Sequence, residues 1–526
     1  TGNGFYIDAQ GTALSDYSLF EGAERAVIIN ADGKQVEVNR ILGANSIYDV
    51  IKFNTAIEKK QITLTIASQP AKVGETVYLL PYSTQKATTI QTGKVTAVDS
   101  IGNQSFYYTL EMKTNEKTVS CPIMNANGQL LGLIQKNASS ENTESYAISA
   151  GFGASLTVTA LSANDGALNN IGIKKALPAS EEQALVYLIM ATGKWDNEKY
   201  LNLLNDYIQQ FPNSLDGYIK RSVYYITNGD GSQYPLAEED FKKAIEVSSD
   251  KGEANFQVAK NIYSYLISLE NKEAYQEWNF DKALSYIREA IQHNNLPMYI
   301  QLEGDILFAK GDYPGALESY NRLNKTSLAS AETFYAAAKT KQLIEGADMN
   351  EVLALMDSAI VHLKKPYFAE AAPYFYERAE LRAQMGKYRD AVIDYNTFYE
   401  AVSGDVSALF YLQREQAEMQ CRMYQQGLDD INRAVEMSPD NVDLWVEKGS
   451  VHLRVNQLDE ATVAFNKALS MDDQYAVAYR LLGYCQALQK RNKEACANND
   501  LKNYVFNIEK KQNELLVLED EPVSLG

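Results

Sequence analysis

Residues 444–473, LWVEKGSVHLRVNQLDEATVAFNKALSMDD, hold a pair of short runs in which apolar residues recur with a period near 3.6. That period belongs to amphipathic helices. The residue sizes within the pair are ordered: Trp445 is large, Gly449, Ala461 and Ala468 are small, and Phe465 is aromatic. Small residues fit where two helices cross closely, and large ones fill the gap to whatever lies alongside. The spacing then repeats, because Gly449 and Gly483 lie 34 residues apart, Ala461 and Ala495 do the same, and Pro439 precedes Asp473 by 34. A fixed period of this length marks a stacked repeat architecture, in which each unit is stabilised mainly by its neighbours.

Further copies lie on the N-terminal side. Gly304, Gly311, Tyr313, Ala316 and Tyr320 form one; Gly386, Tyr388, Ala391 and Tyr395 another; Ala434 and Pro439 a third. Weaker copies hold Ala237, Phe241 and Ala244, then Ala283, Ile287 and Ala290. Helix pairs thus run from Glu181 to residue 510, about nine in all. The 331–364 pair and the first pair, ending at Phe211-Pro212, diverge most.

The pattern resembles the tetratricopeptide repeat. That resemblance implies a right-handed helical solenoid that binds protein segments in a concave groove lined by the first helix of each pair. Carried onto this chain, it places Gln301, Asp305, Tyr376, Glu380, Gln416, Arg480 and Tyr484 in the groove. Absent is the set of Lys and Asn with which the family's chaperone-tail binders hold a terminal carboxylate. An acidic groove lined with tyrosine suits a basic or extended polypeptide, since tyrosine offers rigid contact area with a polar end. Some tyrosines, Tyr320 and Tyr395 among them, read instead as packing residues between helices.

Residues 1–165 follow a different rule. FYID, AVIINADG, QVEVNRIL, TVYLLPY, TGKVTAV, FYYTLEM and QLLGLIQ alternate apolar and polar residues, bounded by turns such as Ala31-Asp32-Gly33 and Ala126-Asn127-Gly128. A period of two at this spacing predicts antiparallel strands closed into a barrel or sandwich. Four short matches, in order, resemble the trypsin-like fold of the HtrA type. Gly2-Asn3-Gly4-Phe5 is similar to the family's G-[ST]-G-F opening strand. Leu14-Ser15-Asp16-Tyr17-Ser18-Leu19, within GTALSDYSLFE at 11–21, tracks L-T-N-x-H-V. Ile47-Tyr48-Asp49-Val50-Ile51 is similar to the D-[LI]-A-[VL] strand. Ser120-Cys121-Pro122-Ile123-Met124-Asn125, followed by Asn127-Gly128-Gln129-Leu130-Leu131-Gly132, resembles G-G-P-[LV]-x-N and then x-G-x-[VL]-x-G.

The resemblance puts Ser18 at the catalytic histidine, Asp49 at the aspartate, and Val119 at the nucleophile, with Lys117 at the glycine of the oxyanion turn. The only histidines are His293, His362 and His452, all in the helical part. A serine nucleophile needs an imidazole to accept its proton at neutral pH, and losing one such group costs roughly a million-fold in turnover. Ser18 then reads as filler and Asp49 as a polar residue bonded to loop backbone. Ser120 or Cys121 remains an alternative nucleophile if a histidine reaches in from elsewhere.

Bulk composition narrows the function. Of 68 acidic and 49 basic residues, 15 and 12 precede residue 166, so the excess negative charge lies in the helical part. An acidic surface repels nucleic acid, which needs clustered Lys and Arg. No apolar run is long enough to span a bilayer. Cys121, Cys421, Cys485 and Cys496 lack metal-ligand spacing, so no metal or other cofactor is expected. A Cys485–Cys496 bridge is conceivable on adjacent helices, but free buried thiols fit better.

The expected fold is therefore an all-β trypsin-like double β-barrel at 1–165, a linker at 166–180, an all-α tetratricopeptide-repeat solenoid at 181–510 and an acidic tail at 511–526. The expected function is a non-catalytic scaffold, not an enzyme, that binds protein or peptide segments through the groove and uses the barrel as a second docking surface. The alternative is an atypical serine or cysteine peptidase with the repeats as substrate receptor. The family resemblance implies a bacterial, extracytoplasmic protein.

Overall fold

The computed structural model describes residues 1–489 apart from 31, 57–61, 84–88, 138–142 and 271. Ala31, Ala495, Cys496, the end of the repeat array and the acidic tail lie outside the described residues. Two compact units divide the chain, 1–258 and 259–526.

The first unit begins with five antiparallel strands: β1 (Gly4–Tyr6), β2 (Thr12–Ser15), β3 (Val27–Ile29), β4 (Gln35–Asn45) and β5 (Val50–Thr55), in the order β1-β2-β5-β4-β3. Six more close into a barrel: β6 (Thr76–Leu79), β7 (Gln91–Gly102), β8 (Ser105–Glu111), β9 (Pro122–Met124), β10 (Leu130–Ile134) and β11 (Glu144–Ser149), ordered β10-β11-β8-β7-β6-β9. The double-barrel expectation is thus met by one closed barrel and one five-stranded sheet. Beside β1, Leu64 N donates to Tyr6 O at 3.0 Å.

Alternation explains the barrel. Val77, Leu79, Val95, Leu110, Ile123 and Ala147 point inward and are buried, while the residues between them face out. A second cluster of Val50, Leu133 and Ile148, flanked by Phe5, Tyr48, Tyr107 and Phe152, joins the sheet to the barrel. Gly132 is required where β10 meets β11, because a Cβ there would stand 2.2 Å from Ile148 O.

Six helices complete this unit: α1 (Ala150–Ser155), α2 (Gly166–Asn169), α3 (Glu181–Ala191), α4 (Asn197–Gln210), α5 (Leu215–Thr227) and α6 (Tyr234–Val247). The segment read as a linker is pinned to the sheet: Ile41 N donates to Lys174 O and Ala176 N to Ile41 O, each at 2.8 Å. Buried Asp206 of α4 accepts Lys174 Nζ at 2.6 Å and lies 3.5 Å from Arg40 of β4. α7 (Lys251–Ile267) runs across the division between units.

Among the described residues of the second unit, the regular elements are helices. Its helices are α8 (Phe280–His293), α9 (Pro297–Lys310), α10 (Tyr313–Leu323), α11 (Ala331–Gln342), α12 (Met349–Val361) and α13 (Ala372–Gln384). They continue as α14 (Tyr388–Ala401), α15 (Ala408–Gln420), α16 (Tyr424–Met437), α17 (Val442–Arg454), α18 (Leu458–Met471) and α19 (Ala476–Leu488). From α9 on, each helix packs on the next. The size order of the sequence does the work expected of it: a Cβ on Gly449 would lie 2.4 Å from the Phe465 ring, and one on Gly304 2.8 Å from the Tyr320 ring.

Candidate functional site

Ser18 and Asp49 meet. Ser18 sits in a single 3-10 turn, Tyr17–Leu19, directly after β2, and Asp49 in the turn before β5, so pairing of β2 with β5 brings the two turns together. Asp49 Oδ1 accepts the Ser18 N–H at 2.7 Å and Oδ2 the Ser18 hydroxyl at 3.0 Å. Asp49 holds φ +49°, a left-handed backbone that aspartate tolerates better than most residues.

A second carboxylate, which the sequence reading missed, lies behind this pair. Asp16 is 6% exposed; its Oδ1 accepts the Ser120 hydroxyl at 2.8 Å, and its Oδ2 lies 3.4 Å from the Ser18 hydroxyl. Ser15 Oγ stands 3.3 Å from Asp16 Oδ1 and donates to Asn3 O at 2.5 Å. Ser120 is fully buried at φ +60°, the position where the family's pattern has its first glycine before proline. The hydroxyl that replaces that glycine's hydrogen is stabilised by Asp16, two residues before Ser18, so its partner was legible only as an acidic residue in the same short motif.

Val119 takes part through its backbone. Asn3 Nδ2 donates to Val119 O at 2.8 Å and to Lys117 O at 2.9 Å, tying β1 to the turn. That turn, Glu116–Thr118, is a 3-10 helix closed by a reciprocal cap: Asn115 Oδ1 accepts Lys117 N at 2.9 Å, and Thr118 Oγ1 accepts Asn115 N at 3.0 Å. The Lys117 N–H, which in the resembled family faces an oxyanion, is directed here at the Asn115 side chain. Cys121 is buried, and burial pushes its thiol above the ordinary range, which disfavours the thiolate. With Cys421 and Cys485 it is a free cysteine.

In the second unit the residues placed in the groove separate into groups. Tyr376 and Glu380, on α13, line one cavity of about 260 Å³ together with Lys339, Glu377, Gln342 and Gln384, over a floor of Ala338, Val352, Met356 and Leu381. Tyr376 donates to Gln413 Oε1 at 2.5 Å, and Tyr395 donates to Glu380. Gln301 and Asp305 lie on α9, Gln416 on α15, and Arg480 and Tyr484 on α19, all outside that lining. Asp305 accepts the Tyr320 hydroxyl at 2.7 Å, and burial raises its carboxyl above the usual range. Gln301 and Gln416 are exposed, and Arg480 Nε is buried without a hydrogen-bond partner.

Comparison with known proteins follows the same division. Residues 2–133 match the family described as trypsin-like peptidase domain, and residues 442–475 match the tetratricopeptide repeat. The chain carries both modules. A tetratricopeptide repeat-containing protein of Methanocaldococcus jannaschii is 26% identical over 172 residues, which span 31% of this chain and 29% of that protein. The crystal structure of a serine endoprotease from Yersinia pestis is 16% identical, with a TM-score of 0.26 over 29% of this chain and 54% of its own. The chain therefore spans under a third of that relative and about half of that structure.

The expectation that the protein is not an enzyme does not stand against the peptidase-family match. The matched segment covers both the sheet and most of the barrel, and it sets two serine hydroxyls against two carboxylates. That expectation rests on the missing imidazole together with Val119 at the nucleophile position, and the family match over residues 2–133 overturns it.

Proposed function

We propose that this protein binds extended polypeptide segments along the first helices of its repeats, next in sequence to a trypsin-like domain that engages the same polypeptide. The observation that carries the reading is the cavity between α11, α12 and α13. It combines an apolar floor with Tyr376, Glu377 and Glu380, the mixture that grips an extended chain by side-chain anchors. The test is binding of a reduced, carboxymethylated protein to the full chain and to Tyr376→Ala. Saturable binding weakened at least tenfold in the variant is expected; no binding to either sinks the reading.

A second reading, an atypical peptidase with the repeats as substrate receptor, is favoured by the family match over residues 2–133. Of its two candidate nucleophiles, Ser120 has a carboxylate acceptor at 2.8 Å while the Cys121 thiol is raised by burial. Incubation with a fluorophosphonate and an unfolded substrate tests it: labelling or cleavage lost in Ser120→Ala supports it, and neither in the parent chain counts against it. The likeness to the HtrA type further motivates an extracytoplasmic location, tested by fractionating the source cells.

A further inference from the structure

We infer that the α11–α13 cavity takes the cationic side chain of a lysine or arginine in the bound segment, with Glu380 as its counter-ion. The inference rests on the polypeptide-binding reading above and names what the cavity selects. Three carboxylate or cationic groups line it, Lys339, Glu377 and Glu380. Lys339 Nζ is spent on Glu377 Oε2 at 2.8 Å, with side chains about two-fifths exposed on both sides. Glu380 accepts the Tyr395 hydroxyl and, among the described residues, forms no ion pair. One negative charge is therefore left facing the cavity without a cation.

The rest of the lining suits the stem of a long basic side chain. Ala338, Val352, Met356 and Leu381 offer apolar surface for methylene groups, while the head remains among Glu380, Gln342 and Gln384. The Tyr376 ring, held by its hydroxyl on Gln413, lies in the same wall, where a cation over an aromatic face gains further attraction. A volume of about 260 Å³ admits one such side chain. An acidic partner side chain would meet Glu380 with like charge, and a purely apolar one would leave that charge further desolvated.

The experiment titrates the full chain with N-acetyl-arginine methylamide, N-acetyl-lysine methylamide and the neutral citrulline analogue, followed by saturation-transfer NMR. Both cationic probes are expected to bind and citrulline at least tenfold more weakly. Glu380→Gln should weaken the cations about tenfold, and Lys339→Gln, which adds net negative charge, should strengthen them several-fold. A role for Glu380 in packing alone would not give opposite shifts in the two variants. Equal binding of arginine and citrulline, no binding of either cation, or no change in Glu380→Gln overturns the inference. If the carboxymethylated protein still binds, the polypeptide-binding reading survives that failure; if it too is lost, that reading falls separately.

Discussion

The trypsin-like domain and the repeats treat their buried carboxylates differently. In the first, buried Asp16 and the half-buried Asp49 beside it are met by serine hydroxyls and a backbone N–H, with no cation among those contacts. In the repeats, arginine on the first helix of a pair grips aspartate on the second by donating from both Nε and Nη2 of its guanidinium. Arg221 holds Asp240, Arg378 holds Asp394 and Arg414 holds Asp430, at 2.6–2.8 Å. One cluster obeys neither pattern. Glu415 on α15 is 0% exposed with both oxygens unpartnered, while Glu418 is 3% and Glu447 on α17 is 7% exposed. Arg414, held on Asp430 at 2.6 Å, lies 3.8 Å from Glu418 but makes no hydrogen bond to Glu415, and Arg454 is exposed. The contrast separates carboxylates met by hydrogen-bond donors, carboxylates met by a planar cation, and Glu415, whose burial without a hydrogen-bond partner favours its protonated form.

Breaking the guanidinium solution should have the largest effect. Arg414→Ala leaves Asp430 buried and unpaired, and such a loss costs about 3–5 kcal/mol. Replacing the pair together, Arg414→Met with Asp430→Leu, removes both charges and should cost far less. Urea titration read by hydrogen exchange in α15 and α16 distinguishes them; equal destabilisation would mean the arginine matters for packing rather than for charge.

The proton-holding solution predicts the opposite sign. Burial, followed by the Glu447 charge, pushes Glu415 well above the usual carboxylate range, and burial raises Glu418 to about 8. Groups bound more tightly to protons in the folded state add stability that is complete below about pH 4.3, the unfolded value, and is lost as pH rises through the folded value. Glu415→Gln removes the titration. It should match the parent near pH 4.5 and become progressively more stable than the parent as pH rises above that. A pH-independent difference would show that Glu415 carries no such linkage.

These cases mark what the sequence makes legible. Period two and period 3.6 separate the strands from the helices because side-chain direction is fixed by backbone geometry alone. The small residues at 34-residue spacing locate the helix crossings for the same reason. Glu415 was visible by that arithmetic too, since it lies 34 before Gly449, and Gly427 lies 34 before Ala461. The bulk has moved from one helix to the other, so the crossing stays close while a carboxylate is buried in it. Asp16 and Asn3 were harder to see, because their partners Ser120, Lys117 and Val119 are more than a hundred residues away and no periodicity links them.

In the trypsin-like domain the effects should be smaller, because donors are redundant there. Ser120→Ala removes one hydroxyl from Asp16 and leaves Ser15 and Ser18 within 3.3–3.4 Å, so a loss of about 1.5 kcal/mol is expected from thermal unfolding. A larger loss would mean that Ser120 alone compensates Asp16 and that this carboxylate is as exposed to single substitutions as Asp430.

The smallest expected effect is the most informative about the turn that carries Val119. Asn115 closes one half of a reciprocal cap, and removing a cap side chain costs about 1 kcal/mol. Asn115→Ala should therefore barely move the global melting transition. The turn is still held by Thr118 N on Asn115 O and by Asn3 on two carbonyls, none of which the substitution touches. The Lys117 N–H, however, loses its only acceptor among the described residues and should exchange with solvent much faster than in the parent, while the amides of β10 remain protected. Unchanged protection at Lys117 would show that the backbone, and not the Asn115 side chain, directs that N–H inward.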